Sequence, residues 1–255
     1  MSITAQQVNA LRQRTGISMM ACKKALEETG GDEEKAIDIL RKRGEAKAVT
    51  KAGRETKEGI IVSKVSNGKA VMVTLYCETD FVSKNEEFIS IAENAATAAL
   101  EKGKEGATEE ADIAIKALFT KLGENMSIEI EMLEGEGLSS YTHTNRKIGT
   151  VVSLKSSNDE MGKDIAMHIT AMNPLVISPT EVSDGLVAKE REIWIDQLKN
   201  EGKPEEILEK IMMGKENKFR SEAALLKQTF VKDPEKTIEQ LLGDNEILSF
   251  IRKAI

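Results

Sequence analysis

Cysteine is nearly missing from this chain: Cys22 and Cys77 are the only two in 255 residues. Two thiols make no disulfide framework, and a reducing cytoplasm fits. Histidine is as scarce, His143 and His168 alone, so a Cys/His zinc site would need almost every available ligand to converge. No apolar run approaches the ~18 residues needed to span a membrane. The opening Met1-Ser-Ile-Thr-Ala-Gln-Gln has no basic stretch leading into an apolar one, so no secretory signal is visible. Without one, Asn125-Met-Ser is a chance glycosylation sequon. Motifs of catalysis are missing too: no Gly-x-x-x-x-Gly-Lys-Ser/Thr, no Gly-x-Gly-x-x-Gly after a strand, no Gly-x-Ser-x-Gly, no His-Glu-x-x-His. The weight shifts towards a protein that acts by binding, with no cofactor and no metal.

What is there describes an ordinary core-forming chain. Hydrophobic residues at 40% and charged residues at 31% exclude a disordered protein. The length suits one large domain or two to three small ones. A net charge of −7 disfavours a chain-wide nucleic-acid role, and nine aromatics, none before Tyr76, leave few platforms for base stacking. Charge is unevenly spread: residues 1–57 hold 12 Lys/Arg against 8 Asp/Glu, concentrated from Arg41-Lys-Arg through Lys51, Arg54 and Lys57. That stretch reads either as a helix C-terminus running into a solvated linker or as a basic stripe for RNA or an acidic partner.

Periodicity divides the chain. Thr4 with Gln7 forms a capping box ahead of Val8, Leu11 and Thr15, and Gly16 ends that helix. Ser18 caps a second helix with Met19, Cys22 and Leu26 on one side, ended by Gly30-Gly31. Asp32 caps a third, with Ala36, Ile37 and Leu40 inward and Gly44 past its end. Residues 1–43 are therefore expected to form a three-helix module and 44–58 a basic linker. Gly59–Val65 and Ala70–Cys77 are strand-like, and Asn67-Gly68 between them is a hairpin signal. Ser83 with Glu86 opens a helix with Phe88, Ile91, Ala95 and Ala99 buried, until Gly103. A helix over 108–122 presents Ile115, Leu118 and Leu122, and Ser127–Leu133 alternates as a half-buried strand.

A similar unit recurs: strands over 138–144 and 147–154, then a helix from Asp159 to Met172 with Met161, Ile165, Ile169 and Met172 inward. Helices over 186–199 and 204–226, separated at Asn200-Glu-Gly-Lys, would meet as an antiparallel hairpin through Leu186, Ile193, Leu198, Ile207, Leu208, Ile211 and Phe219. Ile238, Leu241 and Leu242 are helical, and Ile247–Arg252 is a strand. The four prolines, at 174, 179, 204 and 234, all fall at boundaries of these elements.

Two stretches carry a resemblance. Leu11-Arg-Gln-Arg-Thr-Gly-Ile-Ser-Met-Met-Ala-Cys-Lys-Lys-Ala-Leu26 and Glu78-Thr-Asp-Phe-Val-Ser-Lys84 resemble the signature segments of the bacterial elongation factor Ts family. Supporting matches are Tyr141-x-His143 with Arg146-x-Ile-Gly149, Ala166-Met-His-Ile-Thr-Ala171, Gly202-Lys-Pro-Glu205 and Phe230-Val-Lys-Asp233. The likeness covers residues 1–252 in the family's order.

It implies an α+β fold: an N-terminal three-helix module similar to ubiquitin-associated domains (1–43), a core of two related α+β subdomains (59–136; 137–182 with 227–255) and an inserted antiparallel helical hairpin (183–226). It implies a nucleotide-exchange factor without bond-making chemistry, whose partner is the GTPase elongation factor Tu. The segment Thr79-Asp80-Phe81-Val82 would enter that partner beside its Mg²⁺ and phosphate site so that GDP leaves. Arg12, Met19 and Met20 match positions that contact the partner's GTPase domain, with one of the two adjacent methionines expected to face inward. His143 matches a histidine near the interface. No direct nucleotide binding and no membrane are implied, and a homodimer in a complex with two elongation factor Tu molecules is left open.

The residues alone allow plainer readings. Phe81 at a helix start is by itself a core position, and His168, on the Ile165/Ile169 face, is a satisfied core histidine. Cys22 and Cys77 lie in apolar patterns as buried thiols. Thr144-Asn-Arg-Lys replaces a glycine-rich turn common in the family, so the geometry there is expected to differ. Many members continue past the Phe-Ile-Arg strand into a further helix that touches the partner. With Ile255 the last residue, that contact is expected to be missing or replaced.

Overall fold

The computed structural model describes residues 3–51, 53–200 and 205–255, with the side chains of these apart from 45–51, 205 and 206. The chain is α+β and divides into two compact units. One holds Met1–Met132, Thr142–Gly149 and Lys253–Ile255; the other holds Leu133–Tyr141 and Thr150–Arg252. Of the break expected at 200–203, all but Asn200 lies outside the described residues, as do Pro204 and the side chains of Lys47 and Lys51.

The first unit begins with α1 (Ala5–Thr15), α2 (Met19–Glu28) and α3 (Glu33–Lys51). Each starts on the cap its sequence names. Thr4 and Gln7 make a reciprocal capping box, Ser18 accepts from the Ala21 amide, and Asp32 accepts from the Lys35 amide. Helices of this length are marginal alone, and these share a core of Val8, Leu11, Ile17, Cys22, Leu26 and Leu40.

A hairpin follows. Strands β1 (Glu58–Ser66) and β2 (Lys69–Cys77) pair antiparallel without a register break from Glu58↔Cys77 to Ser66↔Lys69. Asn67 and Gly68 turn it with φ of 50° and 72°, the pair of positive values that a type I′ turn requires. Beyond β2 come a one-turn helix α4 (Asp80–Ser83), a long helical run α5 (Glu86–Leu122) and β3 (Met126–Glu134), which completes a sheet in the order β1-β2-β3.

Run α5 doubles back on itself. Lys121 near its end reaches Glu87 near its start at 2.6 Å, although 34 residues of straight helix would separate them by about 50 Å. The reversal is at Gly103, whose φ of 83° and ψ of 174° leave helical space. Alanines 95, 99, 107 and 111 are buried along the two arms, where small side chains let the backbones approach. Their shared core includes Phe88, Ile91, Ile115 and Leu118.

Three local expectations change. Gly44 does not follow the end of the third helix but lies inside α3. A Cβ there would sit 2.3 Å from Thr120 Oγ1 of α5, so the residue permits a close helix crossing. Asn85, not Ser83, caps α5, accepting from the amides of Glu87 and Phe88; Ser83 belongs to α4, its hydroxyl donating to the Asp80 carbonyl. Leu122 ends α5 exposed rather than inward.

The second unit contains most of a sheet ordered β4-β5-β8, built from β4 (Gly137–Thr142), β5 (Ile148–Leu154) and β8 (Ile247–Ala254). Helix α6 (Asp159–Met172), capped by Asn158, contributes Ile165, Ala166 and Ile169 to its core; Met172 points outward, against expectation. Helices α7 (Asp184–Asn200) and α8 (Glu205–Ala223) run antiparallel, Asp184 with Arg220 and Arg191 with Glu216. Their seam is made by Trp194, Leu198 and Met212, with Trp194 edge-on to Phe219 at 5.8 Å. Ile193 and Ile207, expected there, are exposed. A small hairpin of β6 (Thr229–Phe230) and β7 (Asp233–Thr237) has no counterpart in the sequence reading, because strands this short and polar carry no period. Helix α9 (Ile238–Leu242) opens on a second capping box, Thr237 with Gln240.

His168 of α6 is fully buried. Its Nδ1 accepts from the Val231 amide at 3.2 Å and its Nε2 meets Gln228 Oε1 at 3.0 Å. Both nitrogens are thus used by the neutral ring, and burial lowers its pKa below the usual histidine value.

Candidate functional site

The segment from Glu78 to Lys84 leaves the end of β2 and makes the single turn α4 before α5 begins. Val82 is buried in the first unit's core. Phe81, one residue earlier, is 82% exposed, more than any other large hydrophobic side chain among the described residues. An aromatic this exposed gains nothing from the fold; its apolar surface is available to a partner.

The exposed ring stands on a polar scaffold. Thr79 occupies the cap position of α4, yet its hydroxyl makes no bond to that helix. It donates instead to Glu124 Oε1 at 2.7 Å, while the Thr79 amide donates to Glu124 Oε2 at 3.1 Å. The return bond comes from the other strand of chain: the Asn125 amide donates to Glu78 Oε1 at 2.7 Å. Arg54 meets Glu78 Oε2 at 3.2 Å, and its carbonyl accepts from the Asn125 side chain at 2.9 Å. Glu124 can reach Thr79 because α5 doubles back: its last turn, closed by Gly123 with φ of 73°, returns to where the run began.

Asp80 pairs with Lys84 one helical turn on, at 2.7 Å. That hydrogen bond holds its carboxyl below the usual carboxylate range, so it is ionised at neutral pH. Cys77 lies behind the turn, its thiol donating to the Thr79 carbonyl at 3.2 Å. Burial, with Glu124 nearby, pushes that thiol up to about 12.

The His143 turn belongs to the same unit and is stitched to β1. The Arg146 carbonyl accepts from the Ile61 amide at 2.7 Å, Lys147 pairs with Glu58, and Ser63 bonds Thr142 at 2.7 Å. Arg146, in the segment where a different geometry was expected, takes a positive φ of 56° and reaches Glu93 of α5 at 3.3 Å. His143 is exposed at this turn, its amide donating to Ile148 and its carbonyl accepting from Arg146.

Arg12, Met19 and Met20 lie on α1 and α2 of the same unit, and all three are exposed. The expectation that one methionine faces inward fails: Met19 is 46% and Met20 75% exposed, because Cys22, Ala25 and Leu26 already fill the buried face of α2. A neighbouring pair of flexible, polarisable side chains on the surface is suited to adaptable protein contact. Among the described residues, no three His, Cys, Asp or Glu side chains gather as a metal site, and no helix is long and apolar enough to cross a membrane.

Comparison with known proteins identifies the family. The family model described as "Elongation factor TS" matches residues 78–255, well over half of the chain and beginning at the turn that presents Phe81. The chain is 46% identical to elongation factor Ts of Aeromonas hydrophila, the match covering 98% of this chain and 90% of that protein. It is 43% identical to that of Acidithiobacillus ferrooxidans, over 99% and 91%. The figure for Alcanivorax borkumensis is 44%, over 97% and 92%. This chain belongs to the elongation factor Ts family.

Membership places it among translation elongation factors that exchange nucleotide rather than make or break bonds. It does not say which side chains do the work. Sequence reasoning named Thr79, Asp80, Phe81 and Val82 alike, of which Phe81 is exposed, Thr79 and Asp80 half-buried and Val82 buried, and it missed the support of the turn. Glu78 stood inside the quoted segment but drew no role. Glu124 follows a helix-ending glycine, with no local pattern to connect it to a threonine 45 positions away.

Proposed function

We propose that this chain is a guanine-nucleotide exchange factor that binds elongation factor Tu·GDP and promotes GDP release in translation elongation. The Thr79-Asp80-Phe81-Val82 turn enters the partner near its Mg²⁺ and phosphate site, and GTP then takes the vacated site. The observation that carries this reading is Phe81, 82% exposed on a turn whose backbone is tied down on both sides. Burying that ring in a partner supplies roughly 1.5–3 kcal/mol. Accelerating release by ~10³–10⁵ needs about 4–7 kcal/mol, so other contacts must add to it. Asp80, ionised and next to Phe81 in the motif, competes for Mg²⁺ or repels phosphate. Val82 anchors the turn from inside. Arg12, Met19, Met20 and His143 contribute binding surface, and linkage requires nucleotide to weaken the factor's binding as much as the factor weakens nucleotide's.

On the same reading, residues 1–43 are the ubiquitin-associated-like partner-binding module. Residues 59–136 and 137–182 with 227–255 are the two related core subdomains, 183–226 are the inserted hairpin, and the site of action is the cytoplasm. The test is stopped-flow release of a fluorescent GDP analogue from elongation factor Tu, with and without catalytic amounts of this protein and its Phe81→Ala variant. Strong acceleration that falls with the variant supports the wedge. Acceleration indifferent to the variant moves the mechanism to the other contacts, and no acceleration by folded protein leaves a homologue that only binds.

A further inference from the structure

We infer that Glu124 is a positioning residue: through its two bonds to Thr79 it sets the attitude of α4 and hence the direction in which Phe81 projects. The inference rests on the reading of Phe81 given above. Three observations carry it.

A threonine at a helix start ordinarily spends its hydroxyl on that helix's first amides, which stabilises the helix by about 0.5–2 kcal/mol. Thr79 stands at that position and turns its hydroxyl away, to Glu124 Oε1. A local rule broken without local gain marks a place where something else is being held. Glu124 also engages the Thr79 amide, so both of its oxygens close on one residue, and a two-point grip fixes orientation as well as distance. Finally, the opposing bond from the Asn125 amide to Glu78 stops the two segments from sliding past each other. Phe81 is two residues beyond the grip on a helix of one turn, too short to hold a direction by its own hydrogen bonds.

The geometry separates position from mere stability. Glu124→Ala removes both bonds. Glu124→Gln keeps both with the hydroxyl's role reversed, since the amide oxygen can accept from the Thr79 N–H while the amide nitrogen donates to its Oγ1. Hydrogen exchange of the free protein reads the grip directly. Thr79 and the α4 amides should lose protection in Glu124→Ala and keep it in Glu124→Gln, with β1 and β2 unchanged. GDP release from elongation factor Tu reads the consequence. Glu124→Ala should lower the maximal release rate at saturating factor by about tenfold, the size expected of a misaimed contact, with a smaller change in the half-saturating concentration. In a Phe81→Ala background the same substitution should change the maximal rate less than about twofold, because its effect passes through Phe81.

Unchanged protection at Thr79 in Glu124→Ala would overturn the grip itself. Lost protection with an unchanged maximal rate, or an equal loss with Phe81 already removed, would overturn the positioning role. If wild type and Phe81→Ala release GDP at the same rate, the wedge falls, and Glu124 has no Phe81 to position. The hydrogen-exchange result then reports the grip alone, so the two failures are told apart.

Discussion

Phe81 and Phe88 are seven residues apart in sequence and at opposite extremes of exposure, 82% and 0%. Phe88 enters α5 three residues after its Asn85 cap and is buried in the first unit's core, which Ile91 and Ile115 share. Phe81 rides on a turn whose inward place is already taken by Val82. The first is held by packing and the second by hydrogen bonds placed around it, not on it. One region is built to be stable, and its neighbour uses that stability to keep an apolar ring in water.

The comparison can be broken most easily at Phe88. Phe88→Ala should cost about 3–5 kcal/mol, as for other buried phenylalanines, and urea unfolding would show it; a loss under about 1 kcal/mol would mean the arms collapse around the gap. Phe81→Ala should change stability by no more than about 0.5 kcal/mol, as surface substitutions do, while lowering GDP release. Should it destabilise as Phe88→Ala does, the exposed ring is part of the core in solution and the contrast disappears.

Gly103→Ala sharpens the contrast by testing the reversal of α5. A Cβ there meets no atom within 4 Å, so its cost is backbone strain alone, about 1–3 kcal/mol for a positive φ with extended ψ, a conformation essentially confined to glycine. Thermal unfolding measures it, and a stabilised variant would contradict the positive φ.

Acid response separates a third setting, the buried polar one. His168 has its folded pKa lowered by burial, so the unfolded chain takes up the proton more readily. The stability it contributes is present above the unfolded value of about 6.5 and is lost as pH falls below it. Urea unfolding between neutral and mildly acidic pH should be steeper in pH for wild type than for His168→Gln. Parallel profiles would refute that assignment.

The smallest effect belongs to Asp80. Its carboxyl is depressed by the Lys84 hydrogen bond, so any stabilisation exists above the unfolded value near 3.9 and disappears as pH falls through the folded one. With water reaching both side chains, the pair should leave unfolding curves unmoved. Lys84→Ala should still raise the Asp80 titration midpoint followed by NMR, and an unmoved midpoint would show that the pair does not form in solution.

Much of this was legible in the sequence, for physical reasons that can be named. Caps at Thr4, Ser18 and Asp32 and the Asn67-Gly68 turn act over three or four residues, so their chemistry is written locally. Ile165 and Ile169 followed from helical period. What failed depended on partners distant in sequence. Gly44 looked like a stop signal until Thr120 explained why it must be small. Trp194 and Met212, rather than Ile193 and Ile207, face the hairpin seam because its rotation is set by the opposing helix. In the site, the family resemblance pointed to Asp80 and Phe81, while the residues alone put Phe81 in the core, where it is not; the inward Val82 and the grip of Glu124 required the chain to fold back first.

The placement of the two cysteines has a practical consequence. Both lie in the first unit, Cys22 in the three-helix core and Cys77 beneath the Phe81 turn, and both are buried free thiols. A thiol with a pKa near 12 holds almost no thiolate at neutral pH. Cys77 should therefore be alkylated only when its surroundings open. Its labelling rate, counted by mass against that of Cys22, times the breathing of the floor on which Phe81 stands, and it does so in the unmutated protein.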